Sequence, residues 1–120
     1  MRCRGIRGAT VVEENTKEAI LHATRELLEK MIEANQIEVD EVAYAFFTTT
    51  PDVNAEFPAL AARQLGWTQT ALLCGHEMNV PGSLKQCIRI LVLYNTEKTA
   101  AEIAHVYTKG AERLRMDISS

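Results

Sequence analysis

Residues 87–94, CIRILVLY, set seven apolar residues and one arginine in a row. A segment this short, this apolar and this rich in branched side chains reads as a strand at the centre of a sheet, buried on both faces. Other segments must then supply a partner strand on each edge and a layer over each face. Because side chains alternate along a strand, Arg89 falls on the same side as Leu91 and Leu93. Burying an unpaired guanidinium costs several kcal/mol, so a protein carboxylate or a bound anion must face it.

The rest of the chain supplies the other elements. Cys3 to Ala9 reads as a short strand. Asn15 is placed to cap a helix with Glu18 at its third position, and Ile20, Ala23, Leu27 and Met31 follow at helical spacing, flanked by Leu28 and Ile32. That helix is expected from Thr16 to Ala34, stopped at Asn35, with its apolar stripe on a sheet. Ala43 to Thr50, aromatic and β-branched, reads as a strand ended by Pro51. Pro58 suits the first position of a short helix, PALAARQL, closed by Gly66. Ala71 to Cys74 makes a brief strand and Ser83 to Tyr94 holds the central one. Thr99 and Glu102 have capping-box spacing, and HVY at 105–107 reads as a last strand. The fold class is therefore α+β: a mixed sheet of about five strands covered by one long helix and short helices. One long helix covers one face, so burial of the other points to a homo-oligomer.

Composition narrows the function classes. The 120 residues suit a single domain over 1–120, with 115–120 expected as a mobile C-terminal tail. No stretch approaches the ~20 apolar residues of a membrane span. The N-terminal MRCRGIRGAT lacks the apolar core of a secretory signal, which points to the cytoplasm. The three cysteines form an odd set without a CxxC pair, and the three histidines are scattered, so neither a disulfide framework nor a metal site is expected. Residues 13–41 carry a net charge of −6 and the rest +3. Those outlying bases are scattered singly with few aromatics, which argues against nucleic acid and fits a small anionic ligand.

Several residues could carry chemistry. Glu77 stands in a region poor in acids; it is the obvious ion-pair partner of Arg89, or else an acceptor for a ligand hydroxyl. Arg4 and Arg7, in RGIRGAT, fall on opposite faces of a regular strand; two solvated arginines on an edge strand are the plain alternative. Gly5 and Gly8 beside them permit close backbone approach. Arg63 lies on the exposed side of the short helix, and Arg113 and Arg115 flank Leu114 near the C-terminus. Cys74 could face a cavity or be an inert small hydrophobe. Tyr107 could donate its hydroxyl to an anion or be an ordinary half-buried strand residue. The inventory is rich in fixed cations and poor in nucleophiles, paired acids and phosphate loops. By itself it defines an anion-binding domain.

The motifs RGIRGAT at 4–10, TPD at 50–52, FPA at 57–59, CIR at 87–89, HVY at 105–107 and LR at 114–115 occur in an order that resembles the monofunctional, trimeric chorismate mutases of the Bacillus type. The resemblance implies a homotrimer whose sheets surround a pseudo-α/β barrel, with three clefts between subunits. It implies the Claisen rearrangement of chorismate to prephenate, on the route to phenylalanine and tyrosine, without a cofactor or a covalent intermediate. It further implies that Arg89 bonds the ether oxygen and a carboxylate, that Arg7 and Tyr107 bind carboxylate, and that Glu77, with Leu73, Cys74, Gly75 and His76, holds the ring hydroxyl. Phe57, Ala59 and Arg63 would come from the adjacent subunit, and Leu114 and Arg115 would help the tail cover the cleft. Two positions depart from the family pattern: Leu60 stands in place of a lysine, and Met116 in place of a proline. A noncatalytic trimeric anion binder and a deaminase-like trimer are the competing readings, though the latter needs an activated water and no base for one is evident.

Overall fold

The computed structural model of the chain describes residues 1–114. Five strands, β1 (Arg2–Val11), β2 (Val42–Thr49), β3 (Ala71–His76), β4 (Cys87–Thr96) and β5 (Val106–Tyr107), are joined through helices α1 (Lys17–Asn35) and α2 (Ala59–Gln64). They form one mixed sheet in the order β3-β2-β4-β1-β5. β4 is central and antiparallel to both neighbours, while β3 adds to β2 and β5 adds to β1 in parallel. The most apolar segment of the chain thus takes the most enclosed place in the sheet.

Alternation along β4 decides where everything else goes. Ile88, Ile90, Val92 and Tyr94 are buried, and Ile90 and Val92 join Ile6, Leu27, Leu28, Met31 and Phe47 in one core beneath α1 and α2. Arg89, Leu91 and Leu93 point the other way and are only half covered. Burial of β4 on both faces is therefore corrected for the single chain. Both helices lie in one layer, and on the open face only the Cys87 end is sealed, by Leu84, Ala111 and Leu114. Among the described residues no helix is long and apolar enough to cross a membrane.

Three local expectations shift by one residue. Thr16, not Asn15, caps α1: its backbone is extended and its hydroxyl accepts from the Ala19 N–H at 3.2 Å, so Glu18 stands second rather than third. Asn15 is occupied instead by the loop before α2, where its Oδ1 accepts from the backbone N–H groups of Asn54 and Ala55. At the other end Gln36 takes the left-handed conformation (φ 52°) that closes the helix. Asn35 remains helical and buried, and its amide clamps the backbone of Ala104 by donating to the carbonyl and accepting from the N–H, both at 2.8 Å. That clamp fixes the segment leading into β5. Pro58 stands one residue before the first residue of α2, already with helical backbone angles (φ −62°, ψ −26°). The expected strands are trimmed or extended at their ends: Ser83–Gln86 belongs to a loop, and β3 continues to His76. The Thr99–Glu102 capping box is present around a short 3-10 turn, Ala100–Glu102.

Gly8 is where helix and sheet come closest. A Cβ there would overlap the Met31 sulfur and lie 3.1 Å from its methyl carbon. Gly8→Ala forces the fully buried Met31 thioether to repack, and overpacking of this kind costs about 1–3 kcal/mol. The expected result is a thermal midpoint lower by several degrees, read by calorimetry, with Gly5→Ala much milder because its Cβ would meet only Leu91 at an ordinary 3.5 Å.

Candidate active site

The site begins with Arg89 on the open face of β4. Its cross-strand neighbours are Ala9 on β1 and Thr48 on β2, both small enough to leave the guanidinium room. Arg89 Nη1 donates to Glu77 Oε1 at 3.2 Å. Glu77 follows directly after β3, and its N–H donates to the Thr49 carbonyl at 2.8 Å, extending the β2–β3 pairing by one rung. The Thr48 hydroxyl donates to its other carboxylate oxygen. On the far side of β4, Arg7 lies opposite Leu91, and Tyr107 on β5 is in register with Ala9. Arg7, Glu77, Arg89 and Tyr107, drawn from four segments of sequence, thereby line one cavity of about 280 Å³ with Thr48, Phe46 and Leu91.

Donors outnumber acceptors in this cavity. Arg7 has no ion-pair partner among the described residues, and the Tyr107 hydroxyl is buried without a hydrogen-bond partner. Arg89 spends one of its five N–H donors on Glu77. The Arg89 and Glu77 side chains are 34% and 24% exposed, so their attraction is partly screened and Arg89 can share itself with a second anion. An arrangement of two guanidiniums and a phenol satisfies a ligand bearing several anionic oxygens. Nearby Cys87 is no nucleophile: burial beneath Leu84, Ala111 and Leu114 pushes its thiol up to about 11, outweighing the opposite pull of Arg89. Among the described residues no group of three His, Cys, Asp or Glu side chains is placed to hold a metal.

A second cavity of about 320 Å³ lies beside α2 and is lined by Phe57, Cys74, Gly75 and His76, among others. Phe57, 68% exposed, sits on the loop that Asn15 pins to the start of α1. Cys74 turns toward α2, where burial raises its thiol pKa against the smaller effects of the Ala59 N–H and of Arg63. Ala59 is buried, and Arg63 is exposed on the outer side of the helix. His76 Nδ1 lies 3.0 Å from the Thr49 hydroxyl.

The residues singled out from sequence therefore fall into two groups on one chain. Arg7, Glu77, Arg89 and Tyr107 share the first cavity, and Leu114 reaches its rim, sharing a smaller pocket with Arg89 and Glu77. Phe57, Cys74, Gly75 and His76 line the second, and Ala59 and Arg63 lie near Cys74 without lining it. Leu73 stands between them, 59% exposed on the open face of the sheet. Arg4 lies on the opposite face from Arg7 and donates to the Lys98 carbonyl at 3.1 Å. Leu60 is half-buried on α2. Arg115, Met116 and the expected tail over 115–120 lie outside the described residues. Thr48 was not among the sequence candidates. Only the β2–β4 register reveals it opposite Arg89, although its place in TTT at 48–50, two residues from Phe46, already put it on the same face.

The profile of the family described as chorismate mutase type I matches residues 3–118. A chorismate mutase AroH from Thermus thermophilus is 52% identical over 118 residues, spanning 98% of this chain and 97% of the relative. The corresponding AroH of Bacillus subtilis is 45% identical over 120 residues, spanning 99% and 94%. A solved chorismate mutase from Clostridium thermocellum superposes with a TM-score of 0.89 at 49% identity, covering 91% of this chain and 97% of that one. Matching in sequence along almost its entire length and in fold, the chain belongs to the type I chorismate mutases.

Proposed function

We infer that the chain is an isomerase that converts chorismate to prephenate, in a cleft completed by neighbouring copies of itself. The observation that carries this reading is the convergence of Arg7, Arg89 and the Tyr107 hydroxyl, which has no partner among the described residues, in one cavity. The rearrangement breaks one carbon–oxygen bond and forms one carbon–carbon bond within a single molecule. No proton moves and no covalent intermediate forms. What the reaction requires is a compact conformer and compensation for the negative charge that grows on the ether oxygen. Arg7 and Tyr107 take a substrate carboxylate. Arg89 keeps Glu77 on one side and presents its remaining donors to the ether oxygen and the adjoining carboxylate. Glu77 accepts from the ring hydroxyl. Guanidiniums held by sheet register need no rearrangement as charge develops, so their attraction is stronger in the transition state than in the ground state.

The open face of the sheet supports the shared cleft. Tyr44, Phe46, Leu73, Leu91 and Leu93 leave it apolar and incompletely covered, and a cyclic homotrimer buries it. In that arrangement Phe57, Ala59 and Arg63 of one copy close the arginine cavity of the next.

Purified protein is expected to consume chorismate, followed as loss of its ultraviolet absorbance, and to yield a product that acid turns into phenylpyruvate. Arg89→Ala should lower kcat by at least ~100-fold, the range seen when one preorganised donor is removed, while the assembly persists. Dissociation of the Arg89→Ala protein would instead assign the Arg89–Glu77 pair to stability. Sedimentation should give three times the chain mass of 13.4 kDa; a stable monomer contradicts the shared cleft.

A further inference from the structure

Glu77 is held at three points. Its N–H is fixed by the Thr49 carbonyl at 2.8 Å, Oε1 faces Arg89 Nη1 at 3.2 Å, and Oε2 accepts the Thr48 hydroxyl. The first fixes only the backbone; of the two contacts that hold the carboxylate, the one from Thr48 is indifferent to what Arg89 binds. When Arg89 turns its donors to an anionic ligand, its hold on Oε1 weakens, and a glutamate side chain with three rotatable bonds is otherwise free to swing out. Thr48 is itself rigid, β-branched and set in the β2 ladder directly across from Arg89, so its hydroxyl is placed by the same register that places the guanidinium.

We propose that Thr48 is a positioning residue that holds the Glu77 carboxylate in its working orientation while Arg89 is engaged with the substrate. The proposal rests on the mutase reading, with Glu77 as the acceptor for a substrate hydroxyl. Thr48 does not touch the reacting atoms; it acts through Glu77 alone. A hydrogen bond to a charged acceptor that keeps a ligand-binding group in place is the kind of interaction whose loss costs on the order of tenfold.

The test is a double-mutant cycle on the full-length assembled protein with chorismate as substrate. Thr48→Val keeps the shape and removes the hydroxyl; Thr48→Ser keeps the hydroxyl. The expected results are about a tenfold lower kcat/KM for Thr48→Val, near-normal turnover for Thr48→Ser, and little further loss from Thr48→Val in a Glu77→Ala background. Unchanged turnover in Thr48→Val overturns the proposal. So does an equal loss in both backgrounds, which would mark a general role in packing, as would a loss in Thr48→Ser matching that in Thr48→Val. If Thr48→Val fails to assemble, the Thr48→Ser and Thr48→Ala pair carries the same comparison. An unmodified protein that does not convert chorismate would sink the mutase reading itself, an outcome distinct from all of these.

Discussion

A guanidinium in the middle of a central strand is the constraint around which this molecule is arranged. Arg89 interrupts the most apolar segment of the chain, and the alternation of β4 turns it away from the helices toward the open face. There its charge is balanced in part by Glu77, and its cross-strand neighbours Ala9 and Thr48 are small enough to leave a cavity above it. The β-ladder fixes its backbone and the bond to Glu77 restrains its head, so the guanidinium is less free than a surface arginine. A reaction that needs only conformational restraint and one developing negative charge compensated is well served by such a group.

The rest of the fold positions the partners of that charge. Met31 packs on Gly8 where β1 passes under α1, and the β1–β4 ladder sets Arg7 across from Leu91. Asn35 grips Ala104 at the far end of α1 and delivers β5, and with it Tyr107, alongside β1. His105 adds a bond at the same edge, its Nδ1 accepting from the Arg7 N–H at 2.9 Å. Glu77 arrives because the β2–β3 pairing runs one rung past the end of β3. Long-range contacts to the backbone of Arg7, Ala104 and Glu77 therefore lie behind a cluster of four side chains.

Much of this was legible in the sequence, and the reasons differ by element. The long helix announced itself by the spacing of Ile20, Leu27 and Met31, and the central strand by a run too short for a helix and too apolar for an edge. The face shared by Arg89, Leu91 and Leu93 followed from period-two alternation alone. Caps were misplaced by one residue because tertiary partners override local preference: Asn54 and Ala55 take Asn15, while Ala104 takes Asn35. Thr48 escaped notice because its role depends on strand register, a non-local property. The grouping of Cys74 and His76 with Phe57, apart from Arg89, was likewise invisible until β3 had a place at the sheet edge. The Arg89–Glu77 pair was legible from the residues themselves, whereas the substrate roles expected of Arg7, Tyr107 and Glu77 rest chiefly on the order of motifs.

Two cavities on one chain, one rich in donors and the other built from Phe57, Cys74 and the start of α2, make sense together if each completes the other across a subunit boundary. Subunit mixing tests this most directly. Arg89→Ala disables the first cavity and Phe57→Asp the second. Each variant alone should be nearly inactive. Unfolded together in equal amounts and reassembled at random, they should recover about a quarter of the wild-type rate, since about a quarter of the interfaces then join one intact cavity of each kind. A mixture no more active than its parents would contradict the shared cleft and confine the chemistry to a single chain.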